Sequence, residues 1–484
     1  MIKLTDAQQE AVDAMVEFLN DKTEGNDVFT LSGVAGSGKT TSIREALKGR
    51  SNVVGAVISH SAKFILGQSL EGIASCITVA QLLGLTMSVS DNGEVSFLPN
   101  RNRNPGWGLP IDSADILIID ECSMIDKDLH DLIMNMKKKK TKVIYMGDIY
   151  QLPPINSQSD SITFNYTKAT LHDAVRYSGP ISDLGNRIKV EIDKINNDEF
   201  AVPYVINEWM GELDKDERTS CVNEEGSGYI FLNDINKVIE ISTKVFREND
   251  DPEALKLLAY RNNSVKKLND VIRAKTHGKE EYIIDGKLQL PQFVEGELVI
   301  CDGGYNVQVI EEDGRTRTFP IIYNNQTFKV LGTMEIPGPY EVPCLSMNLT
   351  PKLSIPDGGE IYVMDYKNVE GRRKYFNTVN DLKKRAKDSK NKNDWKRYYS
   401  FLSSFCQFEY NYVQNCYKSQ GRTYEDVIVF DNDISTVTKN SLKAKLQALY
   451  VSCTRAKRRV YIYNRKHRVN QEELPINIRE ELGI

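Results

Sequence analysis

Gly33-Val34-Ala35-Gly36-Ser37-Gly38-Lys39-Thr40 has the spacing G-x-x-x-x-G-K-[ST], and the chemistry of that spacing is phosphate binding. Backbone N–H groups around Gly33, Gly36, Ser37 and Gly38, and those of the following helix N-terminus, surround phosphate oxygens. Lys39 then reaches the β- and γ-phosphates of a nucleoside triphosphate, Thr40 holds Mg2+ through its hydroxyl, and Thr41 stands beside them in the nucleotide site. A second constellation is Asp120-Glu121-Cys122-Ser123. Asp120 can orient the metal ion through water, and Glu121 can take a proton from the attacking water. A third is Gly147-Asp148-Ile149-Tyr150-Gln151-Leu152-Pro153-Pro154, where Gln151 can hydrogen-bond the γ-phosphate or the attacking water and the proline pair stiffens the chain beyond. Taken singly, Asp-Glu after a strand reads as a solvated loop, and the third stretch as a plain proline-terminated loop. Beside the phosphate loop, both read as parts of a hydrolytic site.

Such chemistry needs strands that deliver each motif to one edge. Apolar runs at 28–31, 53–58, 116–119 and 143–146, with helical patterns between them, give the βαβ rhythm of an α/β fold with a doubly wound parallel sheet. Residues 86–110 interrupt it with a β-hairpin signal centred on Asn92-Gly93, followed by a polar, Pro/Gly-marked tail. This predicts a small hairpin insertion projecting from the first core domain. A second strand-helix rhythm starts near 257–260 and resumes at 427–430 and 459–463. Between its halves, at 283–405, short β-like runs alternate with Gly, Pro and Asn turns, which predicts a small β-barrel inserted into the second core. A basic stretch from Leu382-Lys383-Lys384-Arg385 to Trp395-Lys396-Arg397-Tyr398-Tyr399 follows. Lys137 to Lys140 lie near a predicted helix C-terminus and read as a solvated helix end.

The bulk composition narrows the class. A chain of 484 residues implies two to four domains, and 40% hydrophobic with 27% charged residues fits a soluble globular protein. No apolar run is long enough to span a bilayer, and the polar N-terminus lacks the core of a signal peptide, so a cytoplasmic protein without membrane partners is expected. The eight cysteines include no C-x-x-C pair and read as reduced thiols, not a disulfide frame or zinc site. The net charge of −5 argues against a chain coated in basic residues, yet a local groove can still bind nucleic acid.

In motif order the sequence resembles the superfamily 1 nucleic-acid helicases, specifically the RecD-like, phage Dda-like group. Leu4-Thr5-x-x-Gln8-x-x-Ala11 resembles the Q motif, whose glutamine, here Gln8, reads adenine. The phosphate loop resembles motif I, Asp120–Ser123 motif II, and Gly147–Pro154 motif III. Ser59-His60-Ser61-Ala62-Lys63 resembles motif Ia, which touches single-stranded DNA. Arg176 sits where the family has an arginine on the γ-phosphate. Lys418-Ser419-Gln420-Gly421-Arg422-Thr423 resembles motif V, and Leu449-Tyr450-Val451-Ser452-Cys453-Thr454-Arg455-Ala456 resembles motif VI, with Arg455 as the second arginine. The resemblance implies two RecA-like core domains, 1–85 with 111–175 and 176–282 with 406–484, carrying a hairpin at 86–110 and a barrel with helical extension at 283–405. It implies ATP and Mg2+ at the site, with Gln420 and Gly421 joining it, and two arginines closing on developing charge.

For nucleic acid it implies Ser59, His60, Lys63, Asn263, Asn415, Tyr417 and Lys418 as contacts. Phe97 on the hairpin either splits or stacks on base pairs or is buried against the core. The basic stretch around Trp395 either binds DNA or forms a charged helix face over a buried aromatic seam, the seam being preferred. In Dda-like proteins this region touches the hairpin. Two departures stand out: Tyr417 replaces the usual His and Asn415 a common Thr, while Cys122 replaces Val or Ala. The implied activity is an ATP-dependent DNA helicase moving 5′ to 3′ as a monomer on single strands and junctions, in a bacterial host if phage-encoded, with replication or recombination proteins as partners. The rivals are a DNA-stimulated ATPase that remodels protein–DNA complexes, and a binding protein with a vestigial NTPase site.

Overall fold

The computed structural model describes residues 4–58, 60–92, 94–99, 108–154, 159–172, 179–197, 218–249, 251–310, 316–357, 359–437, 441–466, 469–470 and 476–482. The chain divides into two compact units. The first comprises Met1–Leu83, Arg103–Leu268 and Val413–Ile484, and it holds two six-stranded sheets.

Strands buried on both faces read as continuous apolar runs. Ile116–Ile119 is such a run, and Val53–Val57 and Lys142–Gly147 lie on either hand in the spatial order Ser75–Thr78, Val53–Val57, Ile116–Ile119, Lys142–Gly147, Val28–Gly33, Thr167–Leu171, all parallel. Helix Asp6–Asn20 starts in a capping box, with Thr5 Oγ1 accepting the Gln8 N–H and Gln8 Oε1 accepting the Thr5 N–H. Its Ala11, Val12, Met15 and Phe18 recur at helical spacing and pack with Phe29, Leu31, Ile118 and Ile144 of this sheet.

The second sheet runs Cys221–Val222, Gly228–Leu232, Ala456–Tyr463, Tyr424–Phe430, Leu255–Ala259, Val413–Asn415, parallel except at Cys221–Val222. Helices Pro180–Asn197 and Leu442–Cys453 cover it through Ile181, Leu184, Ile188, Leu446 and Leu449.

The second unit comprises Gly84–Asn102 and Asn269–Tyr412. Five antiparallel strands run Val363–Met364, Pro343–Thr350, Thr327–Pro337, Leu298–Asp302, Gln407–Tyr410, and a bridge between Val363 and Cys406 brings the two edges together around Val299, Phe328, Val330 and Leu349. The hairpin Leu85–Val89 with Val95–Pro99 belongs to this unit, although its sequence neighbours lie in the first. Helices Val369–Ser389 and Lys392–Ser403 explain why. Trp395 Nε1 donates to the Asp91 carbonyl at 3.0 Å, the Lys392 N–H donates to Asp91 Oδ1 at 3.0 Å, and Val89 packs with Ala386 and Trp395. Trp395 is thus the centre of a buried seam with Tyr398 and Tyr399 beside it.

A buried ion pair also sits in this unit. Glu297 accepts from Arg273 and from the Val294 N–H, and the Arg273 guanidinium lies 4.3 Å from the centre of the Tyr410 ring. Glu297→Ala should cost about 3–5 kcal/mol, because it leaves the Arg273 charge buried and unpaired. Urea unfolding with a probe in this unit checks it; a midpoint within error of wild type would show that Arg273 finds another partner.

Candidate nucleotide site and nucleic-acid contacts

Ile116–Ile119, Lys142–Gly147 and Val28–Gly33 are spatial neighbours, so Asp120, Asp148 and the glycine turn leave the sheet side by side at its carboxyl ends. Gly36 and Gly38 hold φ of +76° and +86°, a left-handed backbone that favours glycine. A Cβ on Gly33 would meet Ser37 Oγ at 2.7 Å, and one on Gly38 would collide with the Gln8 amide. Helix Lys39–Ala46 follows, with Thr40 and Thr41 in its first turn. Lys39 Nζ donates to the carbonyls of Gly33 and Val34 at 2.7 and 3.1 Å. Ser37 Oγ is buried and has no hydrogen-bond partner among the described residues, a cost that a phosphate oxygen would relieve. The cradle therefore fits a polyphosphate.

Asp120 accepts the Glu121 N–H at 2.8 Å. Glu121 adopts φ 54°, ψ 42°, a left-handed conformation that costs a non-glycine residue about 1–3 kcal/mol and clusters at functional sites. Burial raises the Asp120 carboxyl above its ordinary range while Lys39 pulls it down. Glu121 is pushed up to about 7, first by burial and then by Asp120, against the opposing charges of Arg455 and Lys39. Among the described residues no cluster of three or more His, Cys, Asp or Glu could alone hold a metal. Thr40 and Asp120 could contribute two oxygens to Mg2+, which ordinarily completes its shell with phosphate and water and neutralises phosphate charge.

The second sheet contributes to the same site. A Cβ on Gly421 would lie 3.4 Å from Glu121 Oε1, and Gln420 Nε2 donates to Gln151 Oε1 at 3.4 Å. Arg455 is buried, and its guanidinium is fixed by the carbonyls of Val451 and Arg422 at 3.0 and 3.2 Å and by Thr454 Oγ1 at 3.2 Å.

Sequence reasoning missed one node. Buried Asp148 accepts the Ala35 N–H of the glycine turn at 3.1 Å and the Tyr450 hydroxyl at 2.9 Å through the same oxygen, Oδ2. Its other oxygen accepts the Tyr150 N–H, and Tyr150 meets Tyr450 edge-on with ring centres 6.0 Å apart. Lys443 reinforces the joint by donating to Asp160 at 2.7 Å. Asp148 and Tyr450 both lay inside recognised motifs; polar residues directly beside Gln151 and Arg455 were the available signal. Tyr450→Phe removes one buried hydrogen bond, about 1.4 kcal/mol or tenfold. DNA-stimulated ATP turnover should fall by that factor while binding of a fluorescent ATP analogue changes under about threefold; unchanged turnover would make the contact merely structural.

Other predicted contacts fare differently. Gln8 commits Oε1 to Thr5 and donates from Nε2 to the Ser37 carbonyl at 2.9 Å, so it braces the phosphate loop. Asn415 donates to the Tyr260 carbonyl and accepts the Tyr417 N–H at 2.9 Å, which spends its amide inside the protein. Tyr417 stacks edge-on against Tyr260, Lys418 and Lys63 are half-buried, and Asn263 is exposed at the start of helix Asn262–His277. Phe97 is 64% exposed beside its cross-strand partner Met87, so burial against the core is not its role. His60 opens helix His60–Ser69. Ser59 and Arg176 lie outside the described residues.

Fold and site define a P-loop NTPase with two parallel-sheet cores. An AAA domain model matches residues 3–183, and a UvrD-like helicase C-terminal domain model matches 410–463. The ATP-dependent DNA helicase Dda of Enterobacteria phage T4 is 23% identical over 95% of this chain and 98% of its own length. An uncharacterised protein of Acanthamoeba polyphaga mimivirus is 22% identical over 94% and 98% respectively. A solved structure of two coordinating Pif1 helicases at forked double-stranded DNA aligns over 100% of this chain and 98% of that one, at 14% identity and a TM-score of 0.46. These matches support a superfamily 1 helicase of the RecD-like, Dda-like group. Among the described residues no helix is long and apolar enough to cross a membrane.

Proposed function

We propose that this protein is an ATP-driven DNA helicase that translocates 5′ to 3′ along single strands and separates duplex. The observation that carries the reading is the placement of Gln420, Gly421 and Arg455 around Gln151 and Glu121, which makes one nucleotide site out of two cores. Lys39, Thr40 and Thr41 bind phosphates, Thr40 and Asp120 hold Mg2+, Glu121 activates water and Gln151 senses the γ-phosphate. Arg455, with Arg176 by resemblance, stabilises developing charge. ATP draws the cores together and hydrolysis releases them, so a strand gripped across both is pulled stepwise. The cores are 1–85 with 111–175 and 176–282 with 406–484; the hairpin at 86–110 is the wedge, and 283–405 supports it. The enzyme acts as a cytoplasmic monomer on single strands and junctions, beside replication or recombination proteins. Polarity rests on the group resemblance.

Matched duplexes carrying a 5′ or a 3′ single-stranded tail test this, with Lys39→Ala as control. Opening of the 5′-tailed duplex alone is expected. Opening of the 3′-tailed one alone would reverse the polarity. Hydrolysis without opening of either would replace unwinding by remodelling of protein–DNA complexes, and no hydrolysis at all would leave a vestigial site.

A further inference from the structure

The nucleotide site and the hairpin leave one strongly charged surface unexplained. On helix Val369–Ser389, a rotation of about 100° per residue puts Arg372, Arg373, Lys383, Lys384 and Lys387 within one arc of about 120°. All five are exposed, and among the described residues none has an ion-pair partner. Val369, Phe376 and Asn380 complete the arc. The acidic residues of this helix, Glu370, Asp381 and Asp388, all fall outside it. Two other cations on these helices are matched, Lys374 with Glu341 and Arg397 with Asp394. In a chain of net charge −5, five unmatched cations on one face are a local excess built against the overall balance.

We propose that this face holds the phosphate backbone of duplex DNA ahead of the hairpin. The proposal rests on the helicase reading above and extends it to a second DNA-binding surface. From Arg372 to Lys387 the helix rises about 22 Å, a length over which B-DNA presents about a dozen phosphate charges. Arginine and lysine donors at several points along that length suit a regular anionic backbone, and the Asn380 amide adds a donor that can contact phosphate. Single-strand grooves instead repeat aromatic platforms for successive bases, and this face offers Phe376 alone. The placement favours duplex for a further reason. Ala386, on the packed side of the same helix, touches Val89 of the hairpin, and Trp395 ties Asp91 to the neighbouring helix. The exposed pair Met87 and Phe97, where the strands would part, is therefore carried by the structural unit that carries the cations.

The test uses the full chain with a single-stranded 5′ tail alone and with the same tail carrying a duplex arm of about 30 base pairs, which spans the whole face. At low salt the wild type should bind the armed DNA about tenfold tighter than the tail alone. The variant R372Q/R373Q/K383Q/K384Q/K387Q should lose that preference. Its log affinity for the armed DNA should fall about four units less steeply with log salt, while affinity for the tail alone and ATP hydrolysis on single strands stay unchanged. The pair R373Q/K383Q should show an intermediate loss. A variant that keeps the preference for the armed DNA, or a wild type that has none, overturns the proposal. An equal loss on tail and duplex also overturns it, by making this a single-strand surface. Arm dependence is read without ATP turnover, so an inactive wild type would refute the helicase reading while leaving this binding result standing.

Discussion

Glu121→Gln should leave ATP and DNA binding intact and slow hydrolysis about a thousandfold, the middle of the range for losing a positioned general base. The substitution keeps the size of the side chain and removes only its capacity to take a proton. Burial and the neighbouring Asp120 carboxylate push Glu121 up to about 7, so the free enzyme holds it half-ionised near neutrality. A base works only when deprotonated. The wild-type kcat/KM for ATP should therefore fall as pH drops through about 7, approaching tenfold per unit below it, because that parameter reports the free enzyme. In Glu121→Gln the residual rate should show no such acid limb. Steady-state turnover from pH 5.5 to 8.5 reads both effects; a glutamine variant that keeps the acid limb would assign it to another group.

Trp395→Ala should abolish most strand separation while leaving DNA-stimulated ATP turnover within about twofold. The indole fills the seam between Val89, Ala386 and two tyrosines and donates to the Asp91 carbonyl, and truncating such a buried tryptophan costs about 3–5 kcal/mol. That loss falls on the attachment of the hairpin, and no residue of the nucleotide site takes part in it. Phe97→Ala gives the companion case. It should also reduce unwinding and spare turnover, but with no change in melting temperature, since Phe97 is exposed. Unwinding, turnover and thermal melting of both variants check this. Full unwinding by Trp395→Ala would show that the wedge needs no brace.

The central strands of both sheets were legible because runs such as Ile116-Leu117-Ile118-Ile119 are buried on both faces and admit no polar residue. The edge strands Ser75–Thr78, Thr167–Leu171 and Val413–Asn415 were not, because one open side and few residues leave no continuous apolar signature. The phosphate loop and the Asp-Glu pair could be read from residue type and spacing alone. The internal commitments of Gln8 and Asn415 could not, because an amide looks the same in sequence whether it faces a ligand or a carbonyl. The Asp148–Tyr450 contact joins residues 302 positions apart, beyond the reach of any local pattern. The docking of Asp91 on Trp395 was equally hidden, although the tryptophan's buried character was anticipated from its aromatic neighbours.

That last contact also sets an order of events during synthesis. Asp91 and Trp395 are 304 residues apart, so at about 5–20 residues per second the hairpin leaves the ribosome about 15–60 s before its partner exists. Through that interval Met87, Val89, Val95 and Phe97 form an apolar ribbon with unpaired strand edges, the kind of surface that invites aggregation. The first sheet has no such wait, because its six strands are complete by Leu171. The nascent chain can therefore present a folded first core while its hairpin is still unsupported, and the hairpin would be the segment that chaperones must shield.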